Sequence, residues 1–322
     1  MFLVLGGLLL APANAFAGFI FENIVNPGDP NFNQALAINN SGTIAGYFGD
    51  SVIVPNNGYT VVPPYALANF SAENFPTGVQ TQVTGINGAG DTVGFWVDGT
   101  GANHGFTDVG GLFTSVDDPG STATPNFTQL LGVNNGGEAA GFYTDAADAD
   151  HAFTFSGGSF IAIVPANATS ATATDVNNSG EVSGFLTSSI NGDTYGFLNS
   201  NIYLFPGSTF TQFLGVNNEG LAVGDYQDSS GNTHGLLFDP LTTTWQTVDD
   251  PFAITGTGNG TTINGINDDG QMVGFYVNAD EQTIGLLVTE TPEPGTLALA
   301  GFGALLVVAG WRWKARNQDR NS

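Results

Sequence analysis

Val176-Asn177-Asn178-Ser179-Gly180, followed at once by Glu181-Val182-Ser183-Gly184-Phe185, is the phrase on which the fold turns. It recurs as Ile38-Asn39-Asn40-Ser41-Gly42 with Gly46-Tyr47, and as Ile86-Asn87-Gly88-Ala89-Gly90 with Gly94-Phe95. Further copies are Val133-Asn134-Asn135-Gly136-Gly137 with Gly141-Phe142 and Val216-Asn217-Asn218-Glu219-Gly220 with Gly224-Asp225. Ile266-Asn267-Asp268-Asp269-Gly270 with Gly274-Phe275 closes the set. Asn tolerates left-handed backbone and bonds its own chain, and Gly accepts positive φ, so each copy reads as a tight hairpin turn. The Gly before the aromatic allows neighbouring strands to approach closely.

A second phrase follows each turn, as in His104-Gly105-Phe106, His151-Ala152-Phe153 and His234-Gly235-Leu236. A third ends in a turn, as in Val116-Asp117-Asp118-Pro119 and Val248-Asp249-Asp250-Pro251. Each repeat therefore predicts four short strands, and a repeat of about 40–50 residues with strand content points to propeller blades. No long run of 3.6-residue periodicity interrupts them. The last repeat stops after its third strand, while Phe19-Ile20-Phe21-Glu22-Asn23-Ile24 resembles an orphan fourth strand. The expected fold is all-β: a six-bladed β-propeller over residues 18–290, closed by this N-terminal strand, which hides the edges of an open sheet. A solenoid of the same repeats is the alternative.

Composition narrows the function. The chain has 322 residues, no Cys and a formal net charge of −25. All four basic residues lie at the C-terminus: Arg312, Lys314, Arg316 and Arg320. A body without Lys or Arg repels phosphate backbones, which argues against nucleic-acid binding. It also lacks an Arg clamp for acidic substrates. The missing cysteines exclude a disulfide scaffold, a thiol nucleophile and thiolate metal sites. The negative charge serves solubility, and some carboxylates are candidates to collect Ca²⁺.

Both ends read as addresses. Residues 1–17 are an apolar run ending in Ala13-Asn14-Ala15 and Ala15-Phe16-Ala17, the form of a secretory signal peptide, although no Lys or Arg precedes it. Thr291-Pro292-Glu293-Pro294-Gly295 precedes an apolar segment, 296–311, expected as a transmembrane helix, and then the basic tail. The order Pro-Glu-Pro, apolar helix, Arg-rich tail over 291–317 resembles the PEP-CTERM sorting domain. That resemblance implies export from a Gram-negative bacterium, processing by an exosortase-type enzyme and a transient inner-membrane anchor. Pro292, Glu293 and Pro294 would be the recognition residues. The repeat phrases of residues 19–289 also resemble the extracellular HAF repeat, whose His-Ala-Phe is spelled in full at His151-Ala152-Phe153. That likeness implies a surface or secreted protein.

No catalytic set stands out. His104, His151 and His234 share one place in their repeats, which marks them as structural hydrogen-bonding groups, and no Gly-x-Ser-x-Gly elbow is present. No cofactor is expected beyond possible Ca²⁺, for which Asp145, Asp148 and Asp150 are the densest ligand set, without the pattern of an EF-hand loop. Trp96 is the candidate for stacking on a sugar ring, against packing on a neighbouring blade. The expected function is non-enzymatic adhesion or matrix organisation at the cell surface, with exopolysaccharide as a partner. A Ca²⁺-dependent lactonase- or esterase-like propeller hydrolase and a protein-binding module are the alternatives.

Overall fold

The computed structural model describes residues 18–256 and 258–291. The signal peptide, the Pro292-Glu293-Pro294 triplet and the 296–311 segment lie outside the described residues. The described residues contain six four-stranded antiparallel sheets, one per repeat. The only helical element among them is a 3₁₀ turn, Leu67–Asn69, and none of their helices is long and apolar enough to cross a membrane.

The innermost strands of the six blades are Asn33–Ile38, Gln80–Ile86, Thr128–Val133, Ala168–Val176, Thr211–Val216 and Thr261–Ile266. Each ends at the Ile or Val before the Asn turn, and the second strand returns through the Gly-aromatic phrase. The sheet of the last repeat has Thr261–Ile266 at one side, then Met272–Val277, then Thr283–Glu290, with Phe19–Ile24 as its fourth strand. Residues 21–289 form the propeller unit; in the other unit, Thr291 N–H donates to the Gly18 carbonyl oxygen at 2.8 Å.

Two steric facts explain the repeat. The Gly before the aromatic, as at Gly46, Gly94 and Gly141, has no room for a Cβ, which would fall on the carbonyl oxygen of Gln34, Gln82 or Gln129 in the innermost strand. The third residue of the His-Gly-Phe phrase packs in the core: Tyr59, Phe106, Phe153, Phe197, Leu236 and Leu286 are each no more than 1% exposed. Burying such a side chain stabilises by roughly 1.5–3 kcal/mol, and these six anchor apolar layers that run between neighbouring blades.

Each innermost strand carries a β-bulge at the same place, opposite the second-strand Gly, as between Val83 and Gly85 or between Phe213 and Gly215, and Ala168–Val176 carries a second between Ala168 and Ser170. A bulge bends its strand and re-aims side chains. Here it brings Ala37, Gly85, Gly132, Asp175 and Gly265 to the wall of the central channel, with Gly215 packed against Gly265.

Candidate functional site

The channel is where residues of all six blades converge, and its mouth is built from the Asn turns. The first Asn of each turn caps its own hairpin: Asn177 Oδ1 accepts from Ser179 N–H at 3.0 Å and Glu181 N–H at 3.0 Å. That leaves its amide N–H₂ to reach outward. Asn39 Nδ2 donates to the Asn87 carbonyl at 3.0 Å, Asn134 to Asn177 at 3.1 Å, and Asn177 to Asn217 at 3.0 Å. Asn217 donates to Asn267 at 3.2 Å, and Asn267 to Asn39 at 3.1 Å, joining the last repeat to the first. Asn87 instead turns its amide onto Asp91 of its own loop at 3.2 Å.

The second turn position forms a parallel ring at the rim. Gly88 N–H donates to Asn135 Oδ1 (2.7 Å), Asn135 N–H to Asn178 Oδ1 (2.8 Å) and Asn178 N–H to Asn218 Oδ1 (2.8 Å). Asn218 N–H donates to Asp268 Oδ1 (2.9 Å), and Asp268 N–H to Asn40 Oδ1 (3.0 Å). The ring is interrupted after Asn40, because Gly88 has no side chain to accept the sixth bond. Burial pushes the Asp268 carboxyl up, but donors from Asn218 and Asn40 outweigh it and hold the group below its ordinary value. The recurrence of Asn-Asn was legible as a turn; its second use, as a belt between blades, was not, because the acceptor lies a whole repeat away.

Below the rim the channel is pinched. A Cβ added at Gly85 would lie 2.9 Å from Gly132 Cα, and one at Gly215 would lie 3.0 Å from Gly265 Cα. Asp175 is the one side chain larger than a methyl group at these six positions. Its carboxylate accepts from Val176 N–H at 2.8 Å and from Val216 N–H at 3.1 Å. Burial nevertheless pushes it up to about 6, against those two backbone donors. Asp225 is a second departure, standing where the other blades carry Tyr or Phe; it is 5% exposed, and burial pushes it up to about 7.

These two groups give stability a direction with pH. Below about pH 4 both chain states hold the proton and nothing is lost. As pH rises through 4 to 7 the unfolded chain ionises first, so stability falls by up to about 1.4 kcal/mol per pH unit per group. Asp98 and Asp228, held down to about 2 by hydrogen bonds led by the Thr100 and Asn232 side chains, act oppositely at lower pH. Thermal melts should therefore show a maximum near pH 4–5, and Asp225→Asn should gain a few kcal/mol at pH 8 and almost none at pH 4. An equal effect at both values would contradict the buried-carboxyl account.

At the opposite end of the strands, each of the three histidines pairs with an aspartate: His104 and His234 with the one after the fourth strand, His151 with one in the loop before its own strand. His104 Nδ1 pairs with Asp117 at 2.8 Å, His151 Nε2 with Asp145 at 2.8 Å, and His234 Nδ1 with Asp249 at 2.7 Å. Each imidazole also stacks on the aromatic opposite it in the sheet: Trp96 at 4.5 Å, Tyr143 at 4.9 Å and Tyr226 at 5.0 Å. Trp96 is thereby held in the protein, since it also stacks on Phe75 at 4.3 Å and donates from Nε1 to Ser115 at 3.3 Å.

The structure does not gather Asp145, Asp148 and Asp150 around one point. Asp145 caps the backbone of Ala147 and Ala149 and bonds His151, which together hold its carboxyl below the usual range. Asp150 accepts from Thr144 Oγ1 at 2.8 Å, and Asp148 turns the loop with a positive φ of 60°. Among the described residues no group of three or more His, Asp or Glu is arranged to hold an ion.

Beyond the last strand the comparison with known families decides the address. Residues 290–316 match the family model described as the PEP-CTERM protein-sorting motif. The chain carries a PEP-CTERM motif. That motif marks an exported Gram-negative protein with a C-terminal membrane anchor, a substrate of exosortase-type processing. A comparison with curated proteins gives no match. Among solved structures, the propeller is similar to a putative TolB from Agrobacterium tumefaciens, with TM-score 0.53, 10% identity, and coverage of 85% of this chain and 98% of that one. It is also similar to a triple-arginine mutant of AofleA from Arthrobotrys oligospora, with TM-score 0.50, 9% identity, and coverage of 85% and 90%. A six-bladed lectin from Aleuria aurantia aligns with TM-score 0.46 and 10% identity over 82% of this chain and 98% of its own. At such identities the likeness concerns the fold alone.

Proposed function

We propose that this PEP-CTERM protein is an exported, non-catalytic β-propeller that organises the cell surface or extracellular matrix through contacts with exopolysaccharide. The observation that carries the reading is the sorting motif at 290–316, joined directly to a single propeller. The non-catalytic part draws support from the channel. Its converging amides hydrogen-bond one another, and its bore offers one singular carboxylate, Asp175, where hydrolysis needs several unlike groups held around a substrate. Adhesion also suits a body whose charge is all acidic, since neutral glycan hydroxyls bond amides and carboxylates without needing a cation.

Two measurements test the reading. In a host with the processing enzyme, Glu293→Ala is expected to leave the protein uncleaved and in the membrane fraction, at the mass of the full tail. The exported protein should co-sediment with exopolysaccharide from its own host, and should hydrolyse ester and lactone substrates no faster than buffer does. Turnover above that background would sink the non-catalytic reading in favour of a Ca²⁺-dependent hydrolase. Failure to co-sediment would remove the glycan partner.

A further inference from the structure

The boundary between the first and second blades breaks the repeat at three positions at once. In other blades, the residue ending the fourth strand is apolar: Ile24, Val116 and Val248 each place their carbonyl against the Gly of the second phrase. At the first boundary that residue is Glu73, whose carbonyl packs on Gly58 in the same way. The facing pair in the next blade is apolar in four of the other five: Ile44 opposite Val61, Ala139 opposite Phe155, Ala222 opposite Phe238 and Met272 opposite Val288; in the fourth blade Val182 bonds Asn199. In the second blade it is Thr92 opposite Asp108. The corresponding residues of other boundaries share apolar clusters, Ile24 with Ile44 and Val61, and Val116 with Ala139 and Phe155. Three oxygen-bearing side chains thus stand where hydrocarbon is the rule.

Their geometry leaves a charge unanswered. Thr92 Oγ1 donates to Glu73 Oε1 at 3.1 Å. Burial, and then the neighbouring Asp108 carboxyl, push the Glu73 carboxyl up to about 7. Asp108 is 7% exposed, and its Oδ1 is buried without a hydrogen-bond partner. Two neighbouring carboxylates repel each other in a partly buried setting, and an unpaired buried carboxylate oxygen is costly. No lysine or arginine exists between residues 18 and 291 to neutralise them. The pair is therefore neutralised either by a proton held on Glu73 or by a cation bound from solvent.

We infer that Glu73, Asp108 and Thr92 form a binding site for a divalent, oxygen-seeking cation of the Ca²⁺ class, wedged between the first two blades. Two carboxylates match the charge of one divalent ion. The Thr92 hydroxyl adds a neutral oxygen, and half-buried Glu73 leaves a side open for water to complete the six to eight ligands that Ca²⁺ takes. Two carboxylates and a partly wet shell place the affinity in the weak class of extracellular modules. Such an ion would clamp one blade to the next, a structural role independent of the glycan reading above.

The test uses the exported protein at pH 8, melted in CaCl₂ and in chelator, with calorimetric titration of Ca²⁺ alongside. At tenfold its dissociation constant the ion is expected to raise Tm by about 3–5 °C. Glu73→Gln and, as a second variant, Asp108→Asn should each abolish the shift and the single calorimetric site. Glu73→Gln keeps the shape of a protonated carboxyl and is expected to fold. Absence of a wild-type shift overturns the inference, and a Glu73→Gln protein more stable than wild type in chelator would then assign a shared proton to the pair. A shift that survives in both variants also overturns it, by placing the ion elsewhere, such as the Asp145 loop.

Discussion

Deleting residues 18–25 is expected to lower Tm by about 10 °C or more, or to leave the protein aggregated. Ile24 is 1% exposed and packs with Ala35, Ile44, Val61 and Leu287, so its loss opens a cavity between the last blade and the first. The deletion also leaves Thr283–Glu290 as a bare sheet edge, with a row of unpaired backbone groups that invite another chain. We infer that this strand closes the ring, joining the two ends of the repeat array in one sheet. A synthetic peptide of residues 18–28, added in excess to the truncated protein, should recover part of the lost Tm by pairing in trans. A truncated protein melting within a degree or two of wild type would show that the ring is held without the strand.

The second large effect is expected at Asn267, which is 3% exposed. Its Oδ1 accepts from Asp269 N–H at 3.1 Å and Gln271 N–H at 2.9 Å, while Nδ2 donates to the Asn39 carbonyl at 3.1 Å and Gln271 Oε1 at 2.9 Å. Asn267→Ala strands these partners, and buried groups left unpaired cost about 1–3 kcal/mol each. A loss of about 3–5 kcal/mol is expected by denaturant titration. Asn87→Ala is the matched control. Asn87 caps its own turn identically but spends its amide on Asp91 of the same loop. The difference between the two variants reads the bond that joins neighbouring blades, and equal losses would mean that only the turn cap contributes.

The architecture was legible because its determinants are local and repeated. An Asn in each turn caps two backbone groups within four residues, and a Gly in each second strand leaves room for the neighbour's carbonyl. Six copies of that chemistry at blade spacing announce a propeller without any knowledge of contacts. The sorting motif was legible for a related reason, since a processing enzyme reads it as a linear string.

The candidate sites were less legible, and for one reason. Glu73, Thr92 and Asp108 come from the end of one blade and two strands of the next, so no spacing in the chain announces them. The Asp145 loop looked like a ligand set because its carboxylates are close in sequence, yet Asp145 is committed to turn caps and His151, and Asp150 to Thr144. Trp96 looked available because strand alternation says which side it leaves by, and not that Phe75 and His104 wait there. Asp175 and Asp225 were visible as letters, but their departure from the pattern gains meaning only in register, where one enters the pinched channel and the other replaces a buried ring. Local stereochemistry, repeated six times, settles the strands, the turns and the address in the letters alone. Which polar groups are satisfied, stranded or paired depends on atoms brought together from distant repeats, and only folding brings them there.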